Sequence, residues 1–261
     1  TVQVALWSPN TAVANPLAVT QALAAKVVRE GTVLKLGQQV KNARDQQIET
    51  ESRIYSIGHI INTAGLYADK VAKQFGFCDD YAMLPFKGLY WYGNWEPGKL
   101  QRHVYPVPDV RNPFLGVHLT VTVDGRAKIG PTAIPVFSRE SYSGFGGLSP
   151  KEILEIVGIY PKFLTSNHHD VVGLIKSELP KYLQRHLVKQ AKALVPSVRF
   201  QDFRERGKPG IRAQLLDVKN KKLEMDFVVR GDDKSTHLLN AVSPAWTSAL
   251  AMAEHVCRKF D

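Results

Sequence analysis

Four short stretches of this chain put reactive or ligand-binding residue types where a backbone can aim them. The first is Val117-His118-Leu119-Thr120-Val121-Thr122-Val123. Strict alternation makes it a strand with four apolar residues on one face and His118, Thr120 and Thr122 on the other. Such a row floors a polar pocket in one reading and is an ordinary exposed sheet face in another. An imidazole titrating near pH ~6.5 suits a general base at neutrality. The second is Lys208-Pro209-Gly210-Ile211-Arg212-Ala213-Gln214. Here Gly210 permits close approach to a ligand, and Arg212 either clamps a carboxylate with two N–H groups or pairs with a surface acid.

The third stretch, Ile60 to Asp69, runs from a buried strand through Ala64-Gly65 into a helix. Gly65 leaves room for a phosphate or ribose and the helix N-terminus supplies positive potential, although helix–strand packing alone also favours glycine there. The fourth, His237 to Ser248, reads as a loop entering a final helix with Ser243 as cap and Pro244 just inside. That end faces an anion or an electron-rich ring edge, or it serves only as a cap. His168-His169-Asp170 is not expected to hold a metal, because adjacent histidines do not face one way on a helix and no partner is suitably spaced. A Gly-x-Ser-x-Gly elbow, a Cys-x-x-Cys pair and a Walker loop are all absent from the sequence.

The elements that must position these residues follow from periodicity and turn signals. Helices are expected at 16–30, with Leu17, Thr20, Ala24, Val27 and Val28 on one face, at 67–76, with breaks from a Ser149 cap with Glu152 at the capping-box position to about 193, and at 244–260. Strands are expected at 33–40, 53–62, 83–93, 103–108, 114–123, 126–130, 198–205, 210–216 and 225–230. Asp124-Gly125 marks a hairpin, and Gly144-Phe145-Gly146-Gly147 a loop. The fold class is therefore α/β (α+β mixed), with α and β alternating at both ends and a mixed or antiparallel sheet between.

A chain of 261 residues with 44% hydrophobic content buries a sizeable core, and no apolar run is long enough to span a membrane. The formal net charge of +10 is dispersed, without a recognisable nucleic-acid module, so it suits a small anionic substrate better than DNA or RNA. Only two cysteines, Cys78 and Cys257, occur. They point to a reducing compartment, hence a cytoplasmic protein, with a position peripheral to a membrane as the other option. Thr1 opens the chain without Met, which reads as a cut, a processing product or a trimmed start.

Together these segments resemble the L-2-hydroxyglutarate dehydrogenases and oxidases of the D-amino-acid-oxidase-like FAD superfamily. The matching stretches run in the family's order: Ser8 to Thr11, Asn62 to Asp69, Pro85 to Gly88, Tyr105 to Asp109, Pro113 to Thr120, Asp124-Gly125, Gly130-Pro131, Gly210 to Gln214 and Asn240 to Ser248. The resemblance implies non-covalent FAD between a partial Rossmann-like lobe, residues 1–80 and 195–261, and a mixed or antiparallel β-sheet substrate lobe with helices, residues 81–194. It implies that Val40, Ala64 and Gly65 line the adenosine–pyrophosphate side, and that Gly210, Ile211 and the Asn240–Ser243 loop approach the flavin ring. His118 and Arg212 would be the active-site pair, with Tyr105 and Lys87 nearby. The reaction implied is oxidation of a small 2-hydroxy acid to the 2-oxo acid, with a quinone or other acceptor taking the electrons.

The family's Gly-x-Gly-x-x-Gly loop, first strand and ribose-binding acid would precede Thr1, leaving an incomplete sheet with an open edge. That raises the alternative of a non-catalytic fragment, or of one half of a split enzyme that binds FAD only with an N-terminal partner segment. Lys87 stands where the family usually has Arg and cannot make Arg's planar two-point clamp. Leu89, Thr132 and Lys208-Pro209 also depart from the family pattern.

Overall fold

The computed structural model describes residues 4–44, 46–108, 114, 116–142, 149–166 and 171–258. The expected Gly144–Gly147 loop, the His168–Asp170 run, and Asp109, Pro113 and Leu115 of the matched stretches lie outside the described residues. In chain order the strands are β1 (Val40–Arg44), β2 (Gln47–Thr50), β3 (Ile54–Ser56), β4 (Ile60–Asn62), β5 (Tyr81–Gly88), β6 (Trp91–Tyr92) and β7 (His118–Val121). They continue as β8 (Ala127–Gly130), β9 (Ile134–Pro135), β10 (Glu205–Arg206), β11 (Gly210–Asp217), β12 (Lys222–Leu223), β13 (Val228–Gly231) and β14 (Ser235–Asn240). The α-helices are α1 (Pro16–Arg29), α2 (Ala68–Lys73), α3 (Pro150–Leu164), α4 (Val171–Glu178), α5 (Gln184–Leu194) and α6 (Ala249–Cys257).

The chain divides into two compact units. The first comprises Thr1–Gly37, Lys87–Ile134 and Gly173–Gly210, and the second comprises Gln38–Phe86, Pro135–Val172 and Ile211–Asp261. In the first unit β10, β6, β8 and β7 form a four-stranded sheet in that order, every neighbour antiparallel. The Asp124-Gly125 turn joins β7 to β8 as expected, with Gly125 at φ 79°. One sheet face is sealed. Val117, Leu119, Ala127 and Ile129 pack with Trp95, Val198 and Phe203 and with the apolar stripe Leu187, Val188 and Ala191 of α5. The helix α1 is capped by Asn15, whose side chain accepts from the Leu17 and Ala18 amides. None of its residues is buried, and its expected apolar face lies open, with Leu17 65% exposed.

In the second unit β1, β2 and β3 form an antiparallel meander, β13, β14 and β4 a three-stranded sheet, and the order β12–β11–β5–β9 a four-stranded one. The strand expected at 33–40 begins only at Val40. The single strand expected at 53–62 is two, because β3 pairs antiparallel with β2 while β4 pairs parallel with β14, and one straight strand cannot serve both partners. The 83–93 strand likewise divides into β5 and β6, which join different sheets. At 198–205 a 3-10 turn, Phe200–Asp202, replaces most of the expected strand, and Asp202 closes it by accepting from the Arg199 amide. The stretch read as a loop at 237–240 is the end of β14, and the final helix starts at Ala249 after Ser248 rather than after Ser243.

The second core gathers Ala72, Cys78, Met83, Leu215, Val228 and Leu239. Burial, reinforced by the Asp69 carboxylate, pushes the Cys78 thiol up to about 12, whereas Cys257 is exposed. The thiolate is the species that attacks an aromatic disulfide reagent. At about pH 8 the folded protein is therefore expected to titrate one thiol, Cys257, and the denatured protein two. Rapid reaction of both in the folded state would contradict the buried placement of Cys78.

Candidate active site

The unsealed face of the first unit's sheet carries the polar side chains. His118 opposes Gly130, and Thr120 opposes Lys128, which in turn opposes Tyr92 on β6. Directly opposed residues share a face, so His118, Thr120, Lys128 and Tyr92 line one surface while Leu119 and Ile129 face the core. An added Cβ at Gly130 would stand 2.6 Å from the Leu89 carbonyl oxygen, and φ there is 136°. Glycine is required for that crossing, which brings Tyr90 onto the polar face above Lys128, with Nζ 4.6 Å from the ring centroid.

His118 is 9% exposed and stacks on Tyr105, with ring centroids 4.4 Å apart and planes 28° from parallel. Its Nδ1 lies 2.9 Å from the Gly116 carbonyl oxygen. A carbonyl only accepts, so Nδ1 carries a proton, and in the neutral ring the lone pair sits on Nε2. Val104 bridges Leu119, so its neighbours His103 and Tyr105 share the opposite face, with ring centroids 6.2 Å apart. Nδ1 of His103 accepts from the Val121 amide at 3.1 Å. Burial, then the Lys128 charge, holds His103 below its ordinary pKa, consistent with a neutral acceptor ring. Burial, then Tyr90, raises Tyr105, and burial lowers Lys128.

Lys87 is 9% exposed, and burial followed by the Arg206 charge lowers its pKa. Its backbone is pinned by Thr132, whose hydroxyl donates to the Lys87 carbonyl at 2.8 Å and accepts from the Leu89 amide at 3.0 Å. Gly88, the next residue, would carry a Cβ 3.7 Å from the Gly210 carbonyl oxygen. Of the four expected catalytic side chains, the structure brings His118 and Tyr105 together within the first unit and gives Lys87 the neighbour Arg206. Arg212 belongs to β11 in the second unit. Lys128, Tyr90 and His103 were not legible as site residues in the sequence. Their signal is register, since Lys128 sits two residues before Gly130 on the strand opposite His118.

The nucleotide-side candidates lie in the second unit. Asn62, 4% exposed at the end of β4, accepts from the Ala64 amide at 3.1 Å and donates to the Ala68 carbonyl at 2.8 Å and to His237 Nδ1 at 3.1 Å. It shapes the turn in which Gly65 takes φ 56°, and an added Cβ at Gly65 meets nothing within 4 Å. That left-handed turn follows a strand in a parallel pair and leaves its backbone uncovered by any side chain of its own. Val40 opens β1 and is 43% exposed. Asn240 is fully buried; it accepts from the Leu215 amide at 3.2 Å and donates to the Glu224 and Asp226 carbonyls. Its side chain thus fixes β14, leaving only backbone to meet a ligand there. Ser243 is exposed and does not cap α6.

A buried guanidinium holds the Ala64–Asp69 turn from behind. Arg139, 0% exposed, pairs with Asp69 (2.5 and 2.9 Å), Glu155 (3.3 Å) and Glu152 (3.5 Å), and donates to the Leu66 carbonyl. The Ser149 cap of α3 is present, but the Glu152 carboxylate goes to Ser138 and Arg139 instead of back to the cap, because the buried charge outcompetes an exposed amide. A cleft of about 450 Å³, lined by Arg44, Gln74, Phe75 and Asp232 among others, contains none of the expected site residues. Among the described residues no cluster could hold a metal ion, and no helix is long and apolar enough to cross a membrane.

Residues 1–259 match the model of the DAO family of FAD dependent oxidoreductases, and the chain belongs to that family. It is similar to the mitochondrial L-2-hydroxyglutarate dehydrogenase of Mus musculus (32% identity, covering 84% of this chain and 46% of that protein). It is also similar to the L-2-hydroxyglutarate dehydrogenase of Indibacter alkaliphilus (33% identity, covering 97% of this chain and 64% of that protein). The chain thus spans about half to two thirds of the length of these relatives. Among solved structures, the FAD-bound L-alpha-glycerophosphate oxidase of Mycoplasma pneumoniae matches 92% of this chain and 54% of its own, with TM-score 0.61 and 20% identity, a likeness of fold.

Replacing Arg139 by Met is expected to cost about 3–5 kcal/mol, since Asp69 and Glu152 would stay buried without a counter-charge. Combining Arg139→Met with Asp69→Leu should cost less than the sum of the two single changes, measured by urea unfolding. Additive losses would show that the pair is not coupled.

Proposed function

We propose that the chain forms the substrate face and part of the nucleotide side of an FAD-dependent oxidoreductase that converts a small 2-hydroxy acid, of the L-2-hydroxyglutarate kind, to the 2-oxo acid. The observation that carries this reading is the His118 imidazole, stacked on Tyr105 and oriented by the Gly116 carbonyl so that Nε2 bears the lone pair. Bound flavin supplies the acceptor for the hydride from the carbinol carbon. His118 Nε2 takes the hydroxyl proton as that C–H bond breaks, and the carbonyl of the 2-oxo acid forms. Arg212 holds a carboxylate by a planar two-point contact, and Lys87 adds a point charge beside the site. Such positioning accounts for about 7–11 kcal/mol of barrier reduction in a well-oriented site.

On the nucleotide side, Val40, Ala64 and Gly65 approach the adenosine and pyrophosphate, while Gly210, Ile211 and the backbone from Asn240 to Ser243 approach the flavin ring. Support comes from the parallel β4–β14 pair, the bare turn at Gly65 and the family membership of the chain. A further strand, from an additional segment or a second chain, completes that sheet. This addition is favoured by the outer edge of β4, which has no strand partner among the described residues and leaves Ile61 44% exposed.

In the flavin-loaded enzyme, His118→Ala is expected to lower turnover by roughly 10²–10⁴-fold with little change in substrate affinity, the range for loss of a general base. Single-turnover flavin reduction followed by absorbance separates the two effects. Unchanged reduction rates would remove His118 from proton transfer.

A further inference from the structure

The polar face of the first unit's sheet holds a cation that no carboxylate among the described residues pairs with. Three basic side chains reach this sheet from β8, from its lead-in and from β10. Arg126 pairs with Glu205 and lies over the Tyr92 ring, 4.6 Å from its centroid. Arg206 lies over Trp91 at 5.1 Å. Lys128 has the Tyr90 ring at 4.6 Å, and among the described residues no carboxylate forms an ion pair with it. Glu205, the acid on its own face, is engaged by Arg126. An incompletely hydrated ammonium facing only a ring quadrupole is poorly compensated, and an arriving carboxylate would interact with it more strongly than in bulk water.

Register fixes where that carboxylate would sit. Lys128 opposes Thr120, and Gly130 opposes His118, so Lys128 and His118 are diagonal neighbours on one face, roughly 7–8 Å apart at the backbone. Gly130 contributes no side chain between them. With the flexible lysine stem, that spacing suits a five-carbon diacid whose hydroxyl-bearing end meets the imidazole.

We propose that Lys128 is a specificity-determining residue that binds the second carboxylate of a dicarboxylic 2-hydroxy acid, next to Thr120 and beneath Tyr90, and so selects diacids over monoacids. This rests on the substrate reading above and extends it to one side chain. The lowered pKa that burial imposes on Lys128 agrees with a site that gains by receiving an anion.

Glutarate and butyrate, a diacid and a monoacid of similar apolar character, test the proposal without flavin turnover. Calorimetric titration of the chain should show glutarate binding at least ten times tighter than butyrate. Lys128→Met should weaken glutarate by roughly 10- to 100-fold, the loss of one charge-assisted hydrogen bond, and leave butyrate unchanged, while Lys128→Arg keeps the preference. A measurement on the unaltered sequence guards against a misfolded variant: with lysines carrying ¹³C-methyl labels, glutarate should shift the Lys128 resonance and butyrate should not. No diacid preference, an unchanged preference in Lys128→Met, or an unmoved Lys128 resonance would each overturn the proposal. Loss of 2-hydroxy-acid oxidation alongside an intact glutarate preference would instead count against the oxidoreductase reading and leave the Lys128 site standing.

Discussion

The candidate site depends on a sheet that can be apolar on only one side. Period-two alternation on β7 and β8 delivers Leu119 and Ile129 to the α5 stripe, and the same pleat obliges His118, Thr120 and Lys128 to share the opposite face. A slip of one residue would put the imidazole into the core and the leucine outside, so the chemistry and the packing are specified by one register. Burying Leu119 and Ile129 is worth about 1.5–3 kcal/mol each, which is ample to hold that register against the modest preferences of the polar side chains. The aromatic rings then act as walls: Tyr105 fixes the plane of His118, and Tyr90 shields Lys128.

The second unit solves a different problem, that of holding a bare backbone turn still. Gly65 brings left-handed freedom and no side chain, so rigidity has to come from its neighbours. Asn62 ties the turn from within through Ala64 and Ala68, and Arg139 ties it from behind through Leu66 and Asp69. A buried ion cluster of this kind adds little net stability relative to an apolar core, but any one of its members is costly to remove. Its value is a single backbone conformation at a turn suited to a phosphate or ribose.

Much of the local structure was legible because local rules suffice for it. The alternation at 117–123, the Asp124-Gly125 hairpin, the start of the first helix at residue 16 and the Ser149 cap each follow from a few neighbouring residues. Misreadings came where a distant partner decides. Nothing local reveals that Ile54 and Ile60 join different sheets, or that residues 235–240 form a strand made regular by a parallel partner 175 residues away in sequence. The Glu152 carboxylate fits a capping box by spacing, yet a buried arginine not predicted from sequence claims it. Ser243-Pro244 resembles a helix start, but the turns after Pro244 postpone the helix to Ala249. The resemblance supplied Tyr105 and Lys87, which no periodicity would have singled out. Neither approach exposed Lys128, since its meaning lies in which residue opposes it.

The proton on the His118 ring carries the central claim, because a base needs its lone pair on the nitrogen that the Gly116 carbonyl does not hold. Long-range proton–nitrogen correlation NMR of the ¹⁵N-histidine-labelled protein reports the tautomer directly. Above the imidazole pKa, His118 is expected to be protonated at Nδ1 and unprotonated at Nε2. A proton resident on Nε2 under those conditions would contradict that claim.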